Sequence, residues 1–332
     1  MNSQSLISIF IFSLWIKIAV FMHKNPDIKT IQFNANDPIE DTILNKVIMI
    51  DNKEAFLFAV FDGHGGAYVS NYLKDNFERF FSFNISIEDS LINTFEIIEG
   101  NLIDQERKST SYEMKLTGSC ALVAVIFNNE IVIANLGDSK AIIIEYDNEA
   151  QHYVIKEMNS ILNANNKSEE TRLRKLFPNE TDIVICKNEG SCYVKGILNP
   201  TYSIGDFYLK YQNLYYNHYP LKFKKRQRGT KFSREYIGHI PEIHKYKMNS
   251  KLKFLLLGSD GFWEYVTNED ILNAIQLKKD KNKLDIEIYL LNMALQKSAL
   301  KHNISFIRLQ SKHLLLPPRY YHDDISIIIE EY

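Results

Sequence analysis

The sequence predicts an α+β layered sandwich in which paired strands lie beneath helices on the outside. Short apolar runs rich in Val and Ile recur between turn residues, which is typical of antiparallel strands. Elsewhere apolar residues recur three and four positions apart, as on the buried face of a helix. The 332 residues contain no internal repeat and no low-complexity linker, so we expect one domain over residues 31–332.

Six apolar runs are predicted as strands: 55–61, 120–127, 130–136, 140–146, 252–258 and 325–330. Asn128-Asn129 joins the second run to the third, and Gly137-Asp138-Ser139 joins the third to the fourth. Two or three turn residues between runs of this length favour hairpins. We therefore expect these three strands to form an antiparallel meander.

Three helical stripes follow the 3.6-residue period. Their apolar members are Val69, Leu73, Phe77 and Phe80; Leu91, Phe95, Ile98 and Leu102; and Ile271 with Ile275. The second stripe follows Ser86-x-x-Asp89, which resembles a capping box, and the third follows Thr267-x-x-Asp270. Residues 291–300 are predicted as another helix.

Charge and cysteine content exclude some classes of protein. The formal net charge of −2 argues against a general nucleic-acid binder. Cys120, Cys186 and Cys192 are too few and too scattered for a disulfide framework, and they contain no CxxC pair for zinc. We therefore expect buried or incidental thiols.

The N-terminal segment 1–22 differs from the rest of the chain. Residues 6–22 are apolar apart from a few polar positions and Lys17. No basic residue precedes the run and no A-x-A-like site follows it, so it is an atypical signal peptide. A run of about 17 residues with a lysine inside it is also near the lower limit for a membrane span. The alternatives are a signal or membrane anchor, with a membrane or secretory location, and a cytoplasmic protein with an apolar extension.

The stretch 211–240 has the composition of an inserted loop. It is rich in tyrosine and contains a basic run at 222–228. A solvated loop is one interpretation, and a docking patch for an acidic partner is the other.

Acidic residues recur at the ends of the apolar strands. Asp62 follows one strand and Asp260 another, each with glycine as the next residue. Asp323-Asp324 precedes the last strand, and Glu40-Asp41 precedes the first apolar run. A single such aspartate is usually a turn residue or a helix cap. Four carboxylate sites at the ends of buried strands need a compensating charge, and their oxygen ligands suit Mg²⁺ or Mn²⁺.

Seven motifs give the chain a family resemblance. They are Pro38-Ile39-Glu40-Asp41, Val60-Phe61-Asp62-Gly63-His64-Gly65-Gly66, Thr117-Gly118-Ser119-Cys120-Ala121, Ala134-Asn135-Leu136-Gly137-Asp138-Ser139-Lys140, Ser203-Ile204-Gly205-Asp206-Phe207-Tyr208-Leu209-Lys210, Ser259-Asp260-Gly261-Phe262-Trp263-Glu264 and His322-Asp323-Asp324-Ile325-Ser326. In this order they resemble the metal-dependent type 2C serine/threonine protein phosphatases over roughly residues 31–332. The segment 36–41 looks closer to the pyruvate-dehydrogenase-phosphatase-like branch.

The resemblance implies a four-layer sandwich of two mainly antiparallel β-sheets flanked by helices. It also implies two Mg²⁺ or Mn²⁺ ions, a phosphorylated protein as substrate, and a monomer. Their ligands would be Glu40, Asp62, the Gly63 carbonyl, Asp260 and Asp323, with Asp62 bridging both ions. Asp41 would orient the attacking water between the two ions, and His64 would be the general acid for the leaving serine or threonine oxygen.

Three positions depart from the family pattern. Asn36 stands where many members have an arginine that grips the substrate phosphate, and it becomes the candidate substrate-binding residue there. Ile161 and Leu162 replace the Asp and His of a stretch whose aspartate helps to bind a third metal ion. Tyr202 replaces an arginine. The alternative function is therefore an impaired phosphatase fold kept as a binding or regulatory module.

Overall fold

The computed structural model describes residues 27–108, 114, 116–188, 190–211, 234–281, 284–310 and 314–332. The apolar run 6–22 and the basic run 222–228 lie outside these residues. Within the described ranges, no helix combines the length and the apolar character needed to cross a bilayer.

The strands of the described residues are, in chain order, β1 (Asp27–Phe33), β2 (Thr42–Ile50), β3 (Lys53–His64), β4 (Gly118–Phe127), β5 (Glu130–Leu136), β6 (Lys140–Asp147), β7 (His152–Glu157), β8 (Val184–Cys186), β9 (Cys192–Val194), β10 (Ile204–Gly205), β11 (Glu242–Lys247), β12 (Leu252–Gly258) and β13 (Ile325–Glu331). The helices are α1 (Tyr68–Phe80), α2 (Ile87–Lys108), α3 (Lys167–Leu176), α4 (Asp260–Trp263), α5 (Asn268–Lys281), α6 (Ile286–Lys301) and α7 (Phe306–Leu309). Short 3₁₀ turns occupy Phe207–Leu209 and Pro318–Tyr320.

Two antiparallel sheets form the centre of the molecule. One has the strand order β11-β5-β4-β3-β2, with β10 paired to β4, and the other has the order β1-β13-β12-β6-β7. Apolar side chains of both sheets, such as Phe58 and Leu257, share one buried cluster between them. Helices α1 and α2 cover the outer face of the first sheet, and α5 and α6 cover that of the second. The four-layer sandwich is confirmed.

The predicted helical stripes form the outer layers of the core. In α1, Val69, Leu73 and Phe77 are buried. All four apolar residues of the second stripe are buried in α2. Because each stripe lies on one helix face, the opposite face can remain charged and exposed.

The predicted meander is correct for its first two strands and wrong for the third. Asn128 and Asn129 both have positive φ angles, as a two-residue hairpin between β4 and β5 requires. Strand β6, however, pairs with β12 and β7 in the other sheet. At Gly137, where φ is +105°, a Cβ atom would lie 2.2 Å from the Cys120 sulfur. The chain thus passes from one sheet to the other through a turn that only glycine fits.

The expectation of free thiols is wrong for two of the three cysteines. Cys186 and Cys192 face each other in the β8–β9 hairpin and form a disulfide. The pairing depends on strand register, which their spacing alone does not reveal. Cys120 is the buried free thiol.

Part of the described end of the stretch 211–240 is buried. Tyr236 and Ile237 are both about 2% exposed and pack in a small apolar cluster with Leu173 and Phe177. The cluster anchors this segment against α3.

Candidate metal centre

Three carboxylates meet at one end of the two sheets. Asp62 lies near the end of β3, Asp138 lies in the crossing between β5 and β6, and Asp260 follows β12. One oxygen from each lies within 4.8 Å of the others. Asp62 and Asp260 were predicted as ligands, whereas Asp138 was read only as part of a turn. Its signal was the same as theirs, an aspartate at the end of a buried strand.

The local electrostatics of this cluster favour the binding of a cation. Burial raises the pKa of Asp62 well above its usual range, and the charges of Asp260, Asp41 and Asp138 raise it further. The pKa of Asp260 is raised in the same way, by burial and then by Asp138, Asp323 and Asp41. A divalent ion would remove both penalties at once, because it neutralises several carboxylates together.

An unpaired oxygen supports the same conclusion. Oδ1 of Asp260 is buried and has no hydrogen-bond partner among the residues that the structure describes. Buried polar atoms nearly always have a hydrogen-bond partner. A carboxylate oxygen can accept a hydrogen bond or bind a metal ion. An all-oxygen donor set suits Mg²⁺ or Mn²⁺, so the residues fit these ions.

Asp41 lies behind the cluster, 2% exposed. Its Oδ2 accepts a hydrogen bond from the Ser326 hydroxyl at 2.8 Å. Burial raises its pKa to about 8 despite this hydrogen bond, with the charge of Asp324 adding to the effect. The residue is placed to interact with the ligands rather than with bulk water.

The loop that carries Glu40 is held by Asp324, for which the sequence predicts no role. Asp324 accepts hydrogen bonds from the backbone N–H groups of Ala35, Asn36 and Glu40, at 2.5, 3.0 and 2.8 Å. It also accepts one from the Asn36 amide at 3.0 Å. The Asn36 side chain therefore holds the loop in place, and its contact with substrate stays a prediction.

Gly63 lets the Glu40 loop approach β3. A Cβ atom at this position would lie 2.2 Å from the Glu40 carbonyl oxygen. The same carbonyl accepts a 2.5 Å hydrogen bond from the Ser70 hydroxyl. Glu40 is thereby brought beside the end of β3, as the sequence predicts.

Asp323 is paired with an arginine. Its Oδ2 forms an ion pair with Nη1 of Arg319, and its Oδ1 accepts the backbone N–H of Asp324 at 2.8 Å. Its charge also raises the pKa values of Asp62 and Asp260. Asp323 thus faces the cluster without belonging to the three-residue group.

His64 forms a dyad with Asp206, which lies in the motif 203–210 and for which the sequence predicts no role. The His64 Nε2 and Asp206 Oδ2 atoms are 2.7 Å apart. Asp206 is fully buried and also accepts hydrogen bonds from Ser203 and Tyr208. At Gly118 a Cβ atom would lie 2.5 Å from the His64 Nε2, so glycine leaves the room for this contact.

The dyad sets the protonation of His64. Burial would lower the pKa of the imidazole, but the charge and hydrogen bond of Asp206 outweigh burial and raise it. The pKa of Asp206 is correspondingly lowered by His64 and Ser203, against the effect of burial. A histidine held protonated beside a carboxylate cluster can serve as a general acid.

The departures from the family pattern lie close to these residues. Asn163 donates a 3.1 Å hydrogen bond to Asp138, so the stretch 161–163 borders the cluster. The Tyr202 ring lies beneath the Arg172 guanidinium, 4.9 Å from its carbon. A different cation thus approaches the place where the family has an arginine.

Comparison with known proteins identifies the family. The model of the family described as "Protein phosphatase 2C" matches residues 32–302. The chain belongs to the protein phosphatase 2C family. It is therefore a metal-dependent protein serine/threonine phosphatase, dependent on Mg²⁺ or Mn²⁺. The finer placement near the pyruvate-dehydrogenase-phosphatase-like branch stays a prediction.

Curated relatives and solved structures agree with this assignment. The chain is 30% identical to "Probable protein phosphatase 2C 38" of Arabidopsis thaliana over 85% of this chain and 74% of that protein. It is 29% identical to "Probable protein phosphatase 2C 28" of rice (Oryza sativa subsp. japonica) over 81% of this chain and 67% of that protein. The fold matches that of serine-threonine phosphatase 2C from Toxoplasma gondii with a TM-score of 0.65 and 11% identity, over 92% and 94% of the two chains.

Proposed function

We propose that this phosphatase hydrolyses phosphoserine and phosphothreonine esters at the carboxylate cluster of Asp62, Asp138 and Asp260. The observation that carries the proposal is the convergence of these three carboxylates within 4.8 Å, with one buried oxygen that no described residue pairs with. Glu40, the Gly63 carbonyl and Asp323 complete the ligand set on either side. When bound there, two Mg²⁺ or Mn²⁺ ions lower the pKa of water and neutralise phosphoryl oxygens.

The residues of this chain supply positioning and proton transfer. Asp324 holds the Glu40 loop and Ser326 holds Asp41, so that the ligands keep their places without substrate. Asp41 is placed to accept a hydrogen bond from the attacking water. A site ordered before substrate arrives spends little binding energy on reorganisation.

His64 donates a proton to the departing serine or threonine oxygen. An alkoxide is a poor leaving group, so protonation lowers the barrier. Asp206 orients the imidazole through Nε2 and favours its protonated form. The Nδ1 atom of the same ring is then the proton donor that can face the substrate.

The test is hydrolysis of a phosphothreonine peptide by the full chain with Mn²⁺. We expect turnover that EDTA abolishes and that Asp62→Asn with Asp260→Asn reduces by a factor of 10² or more, as an order of magnitude for lost charge stabilisation. Asp104→Asn, at an exposed position of α2, is the matched control and should leave turnover unchanged. Turnover no higher than that of the double variant would instead indicate a binding module.

We further infer that the phosphatase is a monomer and that residues 6–22 direct it to a membrane or to the secretory route. The apolar composition of that run supports the second inference. Fusion of residues 1–22 to a fluorescent reporter tests the targeting, and a diffuse cytoplasmic signal would contradict it. The molecular mass of the full chain in sedimentation tests the oligomeric state, and a mass twice that of one chain would contradict a monomer.

A further inference from the structure

Arg319 brings a cation to the edge of the metal centre. It lies in the 3₁₀ turn Pro318–Tyr320, which precedes β13, and its Nη1 contacts Oδ2 of Asp323. The turn begins with two prolines, Pro317 and Pro318, whose fixed φ angles restrict the backbone. The arginine is therefore presented from a stiff segment directly beside a proposed metal ligand.

The guanidinium acts on the whole cluster and not on Asp323 alone. Burial would lower the pKa of Arg319, but the charges of Asp323, Asp260 and Asp62 outweigh burial and raise it. Arg319 also opposes the rise in the pKa of Glu40 that burial and Asp324 cause. The side chain thus lies within electrostatic reach of carboxylates from four different segments.

Part of the Arg319 side chain is open to solvent. Its side chain is 51% exposed, while that of Asp323 is 21% exposed. Arginine has five N–H donors in a planar fork, and the ion pair with Asp323 engages Nη1. The fork matches two oxygens of a phosphate group, and it carries its charge at every accessible pH.

Position 36 does not supply such a group. The Asn36 amide is uncharged and donates to Oδ2 of Asp324. The imidazole of His64 is engaged with Asp206 at 2.7 Å. Arg319, by contrast, has a side chain that is 51% exposed where it contacts Asp323.

We propose that Arg319 binds the phosphoryl oxygens of the substrate and the inorganic phosphate product, while Asp323 holds its guanidinium in place. The inference rests on the proposed function, because it assigns a phosphate-binding residue to that site. Asp323 is held in turn by the backbone N–H of Asp324, which donates to its Oδ1, while Oδ2 contacts Arg319.

Binding of inorganic phosphate to the Mn²⁺-loaded full chain, followed by calorimetry, tests the proposal without requiring turnover. We expect Arg319→Gln to weaken phosphate binding by roughly 10- to 100-fold, the usual loss for a charge-assisted contact. The phosphate affinity of Arg319→Lys should lie between those of the wild type and Arg319→Gln, because lysine keeps the charge but lacks the planar fork of donors. In turnover, KM for a phosphopeptide should rise more than kcat falls.

Arg107→Gln is the matched control. Arg107 lies on α2, pairs with Asp104 and has a side chain that is 52% exposed, nearly the same as that of Arg319. The phosphate affinity of the Arg107→Gln variant should equal that of the wild type. Mn²⁺ titration of Arg319→Gln shows whether the metal centre itself has changed.

Unchanged phosphate affinity in Arg319→Gln would overturn the proposal. If Mn²⁺ also bound more tightly to that variant, Arg319 would be only a counterion of Asp323. A wild type that binds phosphate through Arg319 but hydrolyses no peptide would contradict the proposed function and support this inference. Failure of the two claims is therefore distinguishable.

Discussion

At the scale of single residues, the contact between His64 and Asp206 has a direct consequence for pH dependence. Asp206 raises the pKa of His64, and a general acid works only while it is protonated. Activity should therefore fall as pH rises through the pKa of His64. Asp206→Asn removes the carboxylate charge beside His64 and so lowers the pKa of His64. The fall in activity at high pH should then begin at a lower pH.

The choice of substrate separates this effect from simple damage to the site. At pH 8 we expect kcat of Asp206→Asn on a phosphothreonine peptide to fall on the order of tenfold. With p-nitrophenyl phosphate the loss should be much smaller, because that leaving group departs without a proton. Equal losses on both substrates, with an unmoved pH limb, would contradict the role given to Asp206.

A second prediction at this scale concerns Glu330 in β13 and the pH dependence of stability. It is 1% exposed, and burial raises its pKa to about 7 although Tyr332 donates a hydrogen bond to it. The folded protein thus holds a proton that the unfolded chain releases near the ordinary glutamate value of 4.5. The free energy of unfolding should decline between these two pH values and level off above the higher one.

Glu330→Gln should remove this decline. The amide keeps an acceptor for Tyr332 and carries no charge, so we expect it to stabilise the protein at pH 8 by up to about 3 kcal/mol and to have little effect at pH 4.5. Urea unfolding at both pH values measures the difference. Glu331→Gln, at a half-exposed neighbouring position, is the control, and equal effects of the two variants would count against this account.

At the scale of elements, helix α2 is tied to the segment that carries Asp206. Glu99 of α2 accepts the Gly205 N–H at 2.9 Å and pairs with the buried Lys210 at 2.5 Å. Removing one partner of a buried ion pair leaves the other charge uncompensated. Glu99→Ala should therefore lower the free energy of unfolding by about 3–5 kcal/mol.

Two comparisons check this interpretation in urea unfolding. Glu99→Gln with Lys210→Met should recover much of the loss, because no unpaired charge remains. Glu78→Gln breaks the exposed pair of Glu78 with Lys46 and should cost less than about 1 kcal/mol. A Glu99→Ala effect as small as that of Glu78→Gln would show that α2 and this segment are not coupled.

Elements were predictable from the sequence where burial has a regular period. Strands β5 and β12 begin and end where the apolar runs do, and the stripes of α1 and α2 face the core. Strand partners were less predictable. The turn after β5 has the sequence of a hairpin. The chain nevertheless crosses to the other sheet at this turn, where Gly137 lies close to Cys120. The β8–β9 disulfide depends on register in the same way.

At the scale of the whole molecule, the candidate site depends on long-range contacts that local patterns show only in part. Asp62 and Asp260 were predictable because each ends an apolar strand. Asp138 also ends an apolar strand, so the same pattern could have identified it, whereas the role of Asp206 comes from its contact with His64, far along the chain. Asp324 looks equivalent to Asp323 in sequence, yet its hydrogen bonds to the Glu40 loop make it structural.

The binding of Mn²⁺ tests the central claim, that acidic residues from separate strands form one metal centre. Calorimetry of the wild type should show two ions bound, with protons released because binding ionises carboxylates whose pKa values are raised. At 100 times the dissociation constant, one ion should stabilise the folded protein by about 2.7 kcal/mol. Asp62→Asn should lose both effects, while Asp104→Asn keeps them. A wild type that binds no Mn²⁺ would contradict the account.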